Sequence, residues 1–164
     1  MTHALVTQLW FARSEFARCL EGVTPDDAIR TIDPMNSLSW IVGHLASQEH
    51  YLWVELAQGK IIAQGLREAV GFGSPASIPN WDEMLQIWGD VTNAADEYLS
   101  SLNDDGVRTH LLRQGKALRE DIGKSLLRNI FHYWFHLGEA HAIRQQLGHA
   151  DLPQFVGNMA EVRF

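Results

Sequence analysis

The chain has 164 residues, 46% of them hydrophobic and 20% charged, which suits one compact domain spanning 1–164 with a single core. Sixteen aromatic side chains exclude a disordered chain, because an ordering cost of this kind is met only by burying large apolar groups. A net charge of -7 provides no excess of cations to neutralise phosphates, so nucleic acid is not an expected partner.

The amino-terminal MTHALVTQLW has no basic stretch followed by an apolar run, and a reducing cytoplasm is the expected location. Over 4–20, Leu5, Leu9, Ala12, Phe16, Cys19 and Leu20 recur at steps of three and four, which predicts a helix with Arg13, Glu15 and Arg18 pointing away from its apolar stripe. Cys19 is a lone cysteine on that stripe, unable to form an internal disulfide and expected to be a small buried hydrophobe. Gly22 stops the helix, and Thr24-Pro25-Asp26-Asp27 combines a hydroxyl cap, a first-turn proline and two acids that favour a short helix over 25–30. Asn36-Ser37 caps a longer helix over 38–58, on which Ile41, Leu45, Leu52 and Leu56 share a face.

Between Gly59 and Asn80 the chain is rich in glycine and proline, which predicts a loop able to cover a site. Asn80 with Glu83 has the pattern of a helix start, and Leu85, Trp88, Val91, Ala95, Leu99 and Leu102 continue as a stripe. Asn103-Asp104-Asp105-Gly106 ends that helix, and 107–119 reads as irregular, with a short extended piece and a turn at Gly115-Lys116 as its only signals. The last helix, over 121–147, carries Ile122, Leu126, Ile130, Tyr133, Leu137, Ala140 and Ile143 and stops at Gly148. The richest apolar stretch, 130–137, is interrupted by His132 and His136 and falls short of the roughly 18 residues a membrane span needs. The tail beyond Gly148 contains Pro153 and Gly157 and is expected to wrap the surface. Four amphipathic helices without a convincing strand bury their stripes only against each other, so the fold class is all-α, a four-helix bundle of open topology.

His132 and His136 lie four apart, about 40° apart round the helix, and both point toward one atom. Eight histidines in 164 residues produce about 0.4 such pairs by accident, so spacing alone is weak evidence of a metal site. Their neighbours Phe131, Tyr133, Trp134, Phe135 and Leu137 strengthen it, because neutral imidazoles in apolar surroundings need a polar network or a metal. His44, between Ile41 and Leu45, is the best third ligand from a facing helix. His50 and His141 point elsewhere, and with His3, His110 and His149 they read as ordinary surface or packing residues.

The block Trp40-Ile41-Val42-Gly43-His44-Leu45, with His132-Tyr133-Trp134-Phe135-His136-Leu137-Gly138-Glu139 and Ile143-Arg144-Gln145-Gln146-Leu147-Gly148, resembles the DinB-like superfamily of metal-binding four-helix bundles over nearly the whole chain. The resemblance implies that His44, His132 and His136 hold a divalent transition metal, zinc or nickel in the first place and iron or manganese as alternatives. It also implies a homodimer, and a low-molecular-weight thiol as co-reactant in S-transfer to, or isomerisation of, a small-molecule substrate. Two other readings stay open: a non-catalytic, metal-bound dimer, and a hydrolase with Glu139 or Glu55 as base. Leu137 and Glu139 beside Gly138 depart from the family pattern, and Glu139 orients a ligand, acts as a base or faces solvent. Ser47, Gln48, Tyr51 and Glu55 are candidates to line a polar pocket, as are Glu49, Arg128 and Asn129, with Trp40 and Trp134 at its border and Arg144 for a substrate carboxylate.

Overall fold

A computed structural model of the chain describes residues 2–154, 156–157 and 159–162. Helix α1 (Ala4–Leu20) begins at His3, whose ring accepts the Leu5 amide. Thr24 accepts the Asp27 amide at 3.2 Å to open α2 (Pro25–Ala28), which is two residues shorter than the sequence suggests. Ser37 likewise accepts the Trp40 amide at 3.2 Å at the start of α3 (Leu38–Glu49). All three caps satisfy amides that a helix start leaves without an internal partner.

The sequence predicts uniform α-helix to residue 58, but α3 continues as a π-helix over His50–Leu56. The wider winding changes which side chains face inward, so Trp53 and Val54 are both fully buried while Leu56 is only partly so. Gln58 closes the irregularity by donating from Nε2 to the carbonyls of Trp53 at 2.7 Å and of Ala94 at 2.8 Å.

The expected loop 59–80 contains a further short helix, α4 (Leu66–Val70), entered through Gly65 at φ 78° and anchored by the burial of Leu66 and Val70. Asn80 Oδ1 accepts the Glu83 amide at 2.9 Å and opens α5 (Trp81–Leu99), as its capping pattern predicts. The segment read as irregular forms a hairpin of β1 (Leu112–Arg113) and β2 (Lys116–Ala117), whose turn residues Gln114 and Gly115 both have positive φ. That backbone is the one two-residue hairpin turns require. Helix α6 (Ile122–Gln146) is capped by Asp121, which accepts the Lys124 amide at 2.8 Å, and Gly148 ends it at φ 80°.

Helix α1 packs along α6, α3 packs along α5, and α3 also meets α6, which makes the chain an all-α bundle. Phe16 on α1 contacts Tyr133 and Trp88 edge-on at 5.7 and 5.8 Å between ring centroids, and its complete burial contributes about 1.5–3 kcal/mol. Arg13 and Glu15 do not point into solvent as predicted: they are 6% and 5% exposed. Arg13 meets Glu49 of α3, and Glu15 accepts the Gly157 amide at 2.6 Å, so Gly157 of the tail returns to α1, while residues 155, 158, 163 and 164 of the tail lie outside the described residues. Among the described residues no helix is long and apolar enough to cross a membrane.

Candidate metal centre

His44 projects from α3, and His132 and His136 project from successive turns of α6 where α3 and α6 meet. Their rings stand close to perpendicular, with centroids 4.9 Å (44–132), 5.1 Å (44–136) and 4.6 Å (132–136) apart. One ring nitrogen from each lies within 4.8 Å of the others, and Nε2 of His132 and Nε2 of His136 are 3.0 Å apart.

The opposite nitrogens explain why these edges converge. His44 Nδ1–H donates to the Val70 carbonyl at the end of α4, at 2.8 Å. His132 Nδ1–H donates to Gln48 Oε1 at 2.5 Å, and His136 Nδ1–H donates to Glu139 Oε2 at 2.7 Å. A carbonyl and a carboxylate only accept, and Gln48 presents its oxygen because it also receives the Asn129 amide at 3.1 Å. Each Nε2 is therefore left with a lone pair, and the donor set of three neutral imidazoles could hold a divalent transition metal rather than a hard, oxygen-seeking cation. Trp40, one turn before His44, stacks on its ring at 4.5 Å and 14°. Gly43 suits the close packing here: a Cβ would meet Met84 Sδ of α5 at 2.5 Å and Val70 Cγ2 of α4 at 3.2 Å, so both side chains would have to shift.

A cavity of about 390 Å³ opens on His44 and His132 of the cluster, lined also by Ser47, Gln48, Tyr51, Arg67 and Arg128 among others. A second hollow of about 620 Å³ shares Gln48, Arg128 and His132 and is floored by Leu127, Phe131 and Phe135.

The sequence profile of the DinB superfamily matches residues 8–140, a span that contains all three histidines. The chain belongs to the DinB superfamily. A comparison with curated proteins finds no match.

Within this DinB-superfamily site, Ser47, Gln48, Tyr51 and Arg128 take the pocket positions the sequence suggests, and Glu139 acts as the support for His136. Glu55 does not line the cavity, and Glu49 is fully buried in an ion pair with Arg13. Arg144 lies near the far end of α6, where it donates to the Cys19 carbonyl and to His149 Nδ1. Trp134 pairs with Phe11 at 6.1 Å rather than bordering the site. His50 points away as predicted and accepts the Ile62 and Ala63 amides, while His141 sits against the Pro153 carbonyl. The residue sequence reasoning missed is Arg67, whose guanidinium lies 4.5 Å from the Tyr51 ring centroid at the cavity wall. Its signal was the Leu66/Val70 spacing inside a segment dominated by glycine.

Burial, reinforced by His136 and His44, pushes the His132 imidazole down to about 3, and burial likewise lowers His44. Both rings remain neutral in the metal-free native state while the unfolded chain takes up protons near pH 6.5. The unfolded state then binds more protons as pH falls, so stability declines below that value. In urea titrations the unfolding midpoint of metal-free protein is expected to be lower at pH 5 than at pH 7.5, with a smaller drop in His132→Gln; equal drops in the two proteins would contradict this linkage.

Proposed function

We propose that His44, His132 and His136 hold a divalent transition metal, zinc or nickel before iron or manganese, and that the site binds a small thiol for transfer to an electrophile or for isomerisation. One observation carries the reading: the Nε2 atoms of His132 and His136 face each other at 3.0 Å while their Nδ1–H groups are committed to Gln48 and Glu139. Two lone pairs at that distance call for a cation between them. Bound there, the metal would supply a Lewis-acidic position at which a thiol loses its proton near neutral pH.

The chain's own residues do the rest. Gln48, Glu139 and the Val70 carbonyl fix the rings, and Arg67 brings positive charge to the cavity for a carboxylate of the thiol, whereas the Arg128 guanidinium is already engaged by the Glu120 carboxylate. Cys19 is buried on α1 with its thiol pushed up by burial, so the reacting thiol comes from solution. Glu139 stands on the Nδ1 side of His136, turned from the converging edges, and Glu55 is outside the cavity, which disfavours the hydrolytic reading. Metal analysis of purified protein followed by a screen of glutathione, bacillithiol and mycothiol against small electrophiles tests the proposal. Thiol-dependent consumption of an electrophile that vanishes in His44→Ala is expected. Equal rates in both proteins, or no turnover with any thiol, would favour a non-catalytic metal protein.

We also propose a homodimer that covers the stripe of Leu127, Phe131 and Phe135, which are 38%, 64% and 69% exposed on one face of α6. Sedimentation at micromolar concentration is expected to show a dimer that dissociates in Phe131→Glu/Phe135→Glu. A monomeric wild type rejects it.

A further inference from the structure

Gln48 is the one support of the three histidines whose chemistry is ambiguous. The Val70 carbonyl and the Glu139 carboxylate can only accept, whereas an amide can turn either its oxygen or its NH₂ toward a ring nitrogen. With its NH₂ toward His132, Gln48 would require Nδ1 to accept, and the ring's proton would sit on Nε2 and block the lone pair. What settles the orientation lies deeper in the bundle. Asn129 is fully buried one turn before His132 on α6, and its Nδ2 donates to Gln48 Oε1 at 3.1 Å. Asn129 is itself an amide that could turn, but its Oδ1 accepts from Trp53 Nε1 at 2.7 Å. An indole N–H can only donate, and Trp53 is fully buried in the π-helical segment, where no water competes.

We propose that Trp53 and Asn129 are positioning residues for the metal centre, a donor-to-acceptor relay that ends by fixing the proton of His132 on Nδ1 and its lone pair on Nε2. The logic runs in one direction. The indole makes Asn129 present its oxygen to α3, so its NH₂ must face Gln48; Gln48 must then show its oxygen, and His132 must donate. Trp53 lies in the π-helical segment and reaches Asn129 across the interface with α6. The proposal rests on the reading of His44, His132 and His136 as metal ligands.

The test is Zn²⁺ affinity, measured by competition with a chromophoric chelator, in a cycle built on Asn129 and Gln48. Asn129→Leu frees Gln48 to rotate and is expected to weaken zinc binding by about tenfold or more. Glu at position 48 needs no orienting, since both of its oxygens accept, so in a Gln48→Glu background the same Asn129→Leu change is expected to cost less than about threefold. Packing alone would be lost equally in both backgrounds, and an equal cost, or none, overturns the proposal. Trp53→Phe keeps a ring in the core and removes only the donor; it is expected to weaken binding several-fold and to be rescued by Gln48→Glu, which keeps the proposal falsifiable should Asn129→Leu fail to fold. Wild-type protein that binds no zinc would remove the metal reading itself, whereas wild-type binding indifferent to these changes overturns the relay alone.

Discussion

His132→Ala combined with His136→Ala is expected to reduce bound zinc or nickel from stoichiometric to background, while His50→Ala and His141→Ala leave it intact. The two rings on α6 furnish two of three converging nitrogens, and His44 alone offers a single imidazole with no second ligand within reach among the described residues. One neutral imidazole competes poorly with water for a dication, whereas three in fixed orientation bind without ordering cost at the moment of association. Helical circular dichroism of the double variant separates loss of ligands from loss of fold. Full metal occupancy in the double variant would disprove the assignment. The other two histidines are useful controls because each is already engaged away from the cluster, His50 accepting two loop amides and His141 contacting the Pro153 carbonyl.

The site's ligand candidates were legible because helical spacing is a rule about angles. Two histidines four apart must project together, and a histidine amid Ile41 and Leu45 must face the bundle. Arg13 is predicted to point outward, yet it stands at Leu9 plus four and Phe16 minus three, next to the apolar stripe, and it is buried there. Periodicity reports position, residue type reports preference, and position won because a buried partner on α3 compensates the charge. The π-helix could not be read, since a run such as His50-Tyr51-Leu52-Trp53-Val54 carries no mark of a wider turn. The support of His44 was invisible for another reason: it is a backbone carbonyl, delivered by a short helix from a segment whose glycines and prolines read as loop. Glu139 could be named as a candidate, but choosing between support and base required knowing which nitrogen of His136 it faces.

Arg13→Met is expected to destabilise the protein by about 3–5 kcal/mol, because it strips the counter-charge from a carboxylate sealed inside the bundle. Glu49 has no solvent exposure, and Arg13 grips it with two guanidinium nitrogens, one of them Nε at 2.8 Å. Burial disfavours the guanidinium charge, yet Glu49 more than offsets it and holds Arg13 above its ordinary range. Tyr133 completes the cluster: burial and Glu49 raise its hydroxyl well above the usual value, so it stays protonated, donates to Glu49 at 2.6 Å and accepts from Trp88 at 2.7 Å. Asp96 on α5 ties in through Arg13 Nη1 at 2.6 Å and Trp10 Nε1 at 2.7 Å, so all four long helices meet in one charged knot. Adding Glu49→Gln to Arg13→Met removes the stranded charge while keeping an oxygen for Tyr133, and the double variant should recover more than half of the lost stability in urea unfolding. Additive losses in the cycle would mean the pair does not act as a unit. The knot also bears on function, since Glu49 follows Gln48 on α3 and Tyr133 follows His132 on α6, and Gln48 and His132 are joined at 2.5 Å. Any slippage of α3 against α6 that Arg13→Met permits moves that hydrogen bond first, so zinc affinity should fall in the single variant and return in the double one.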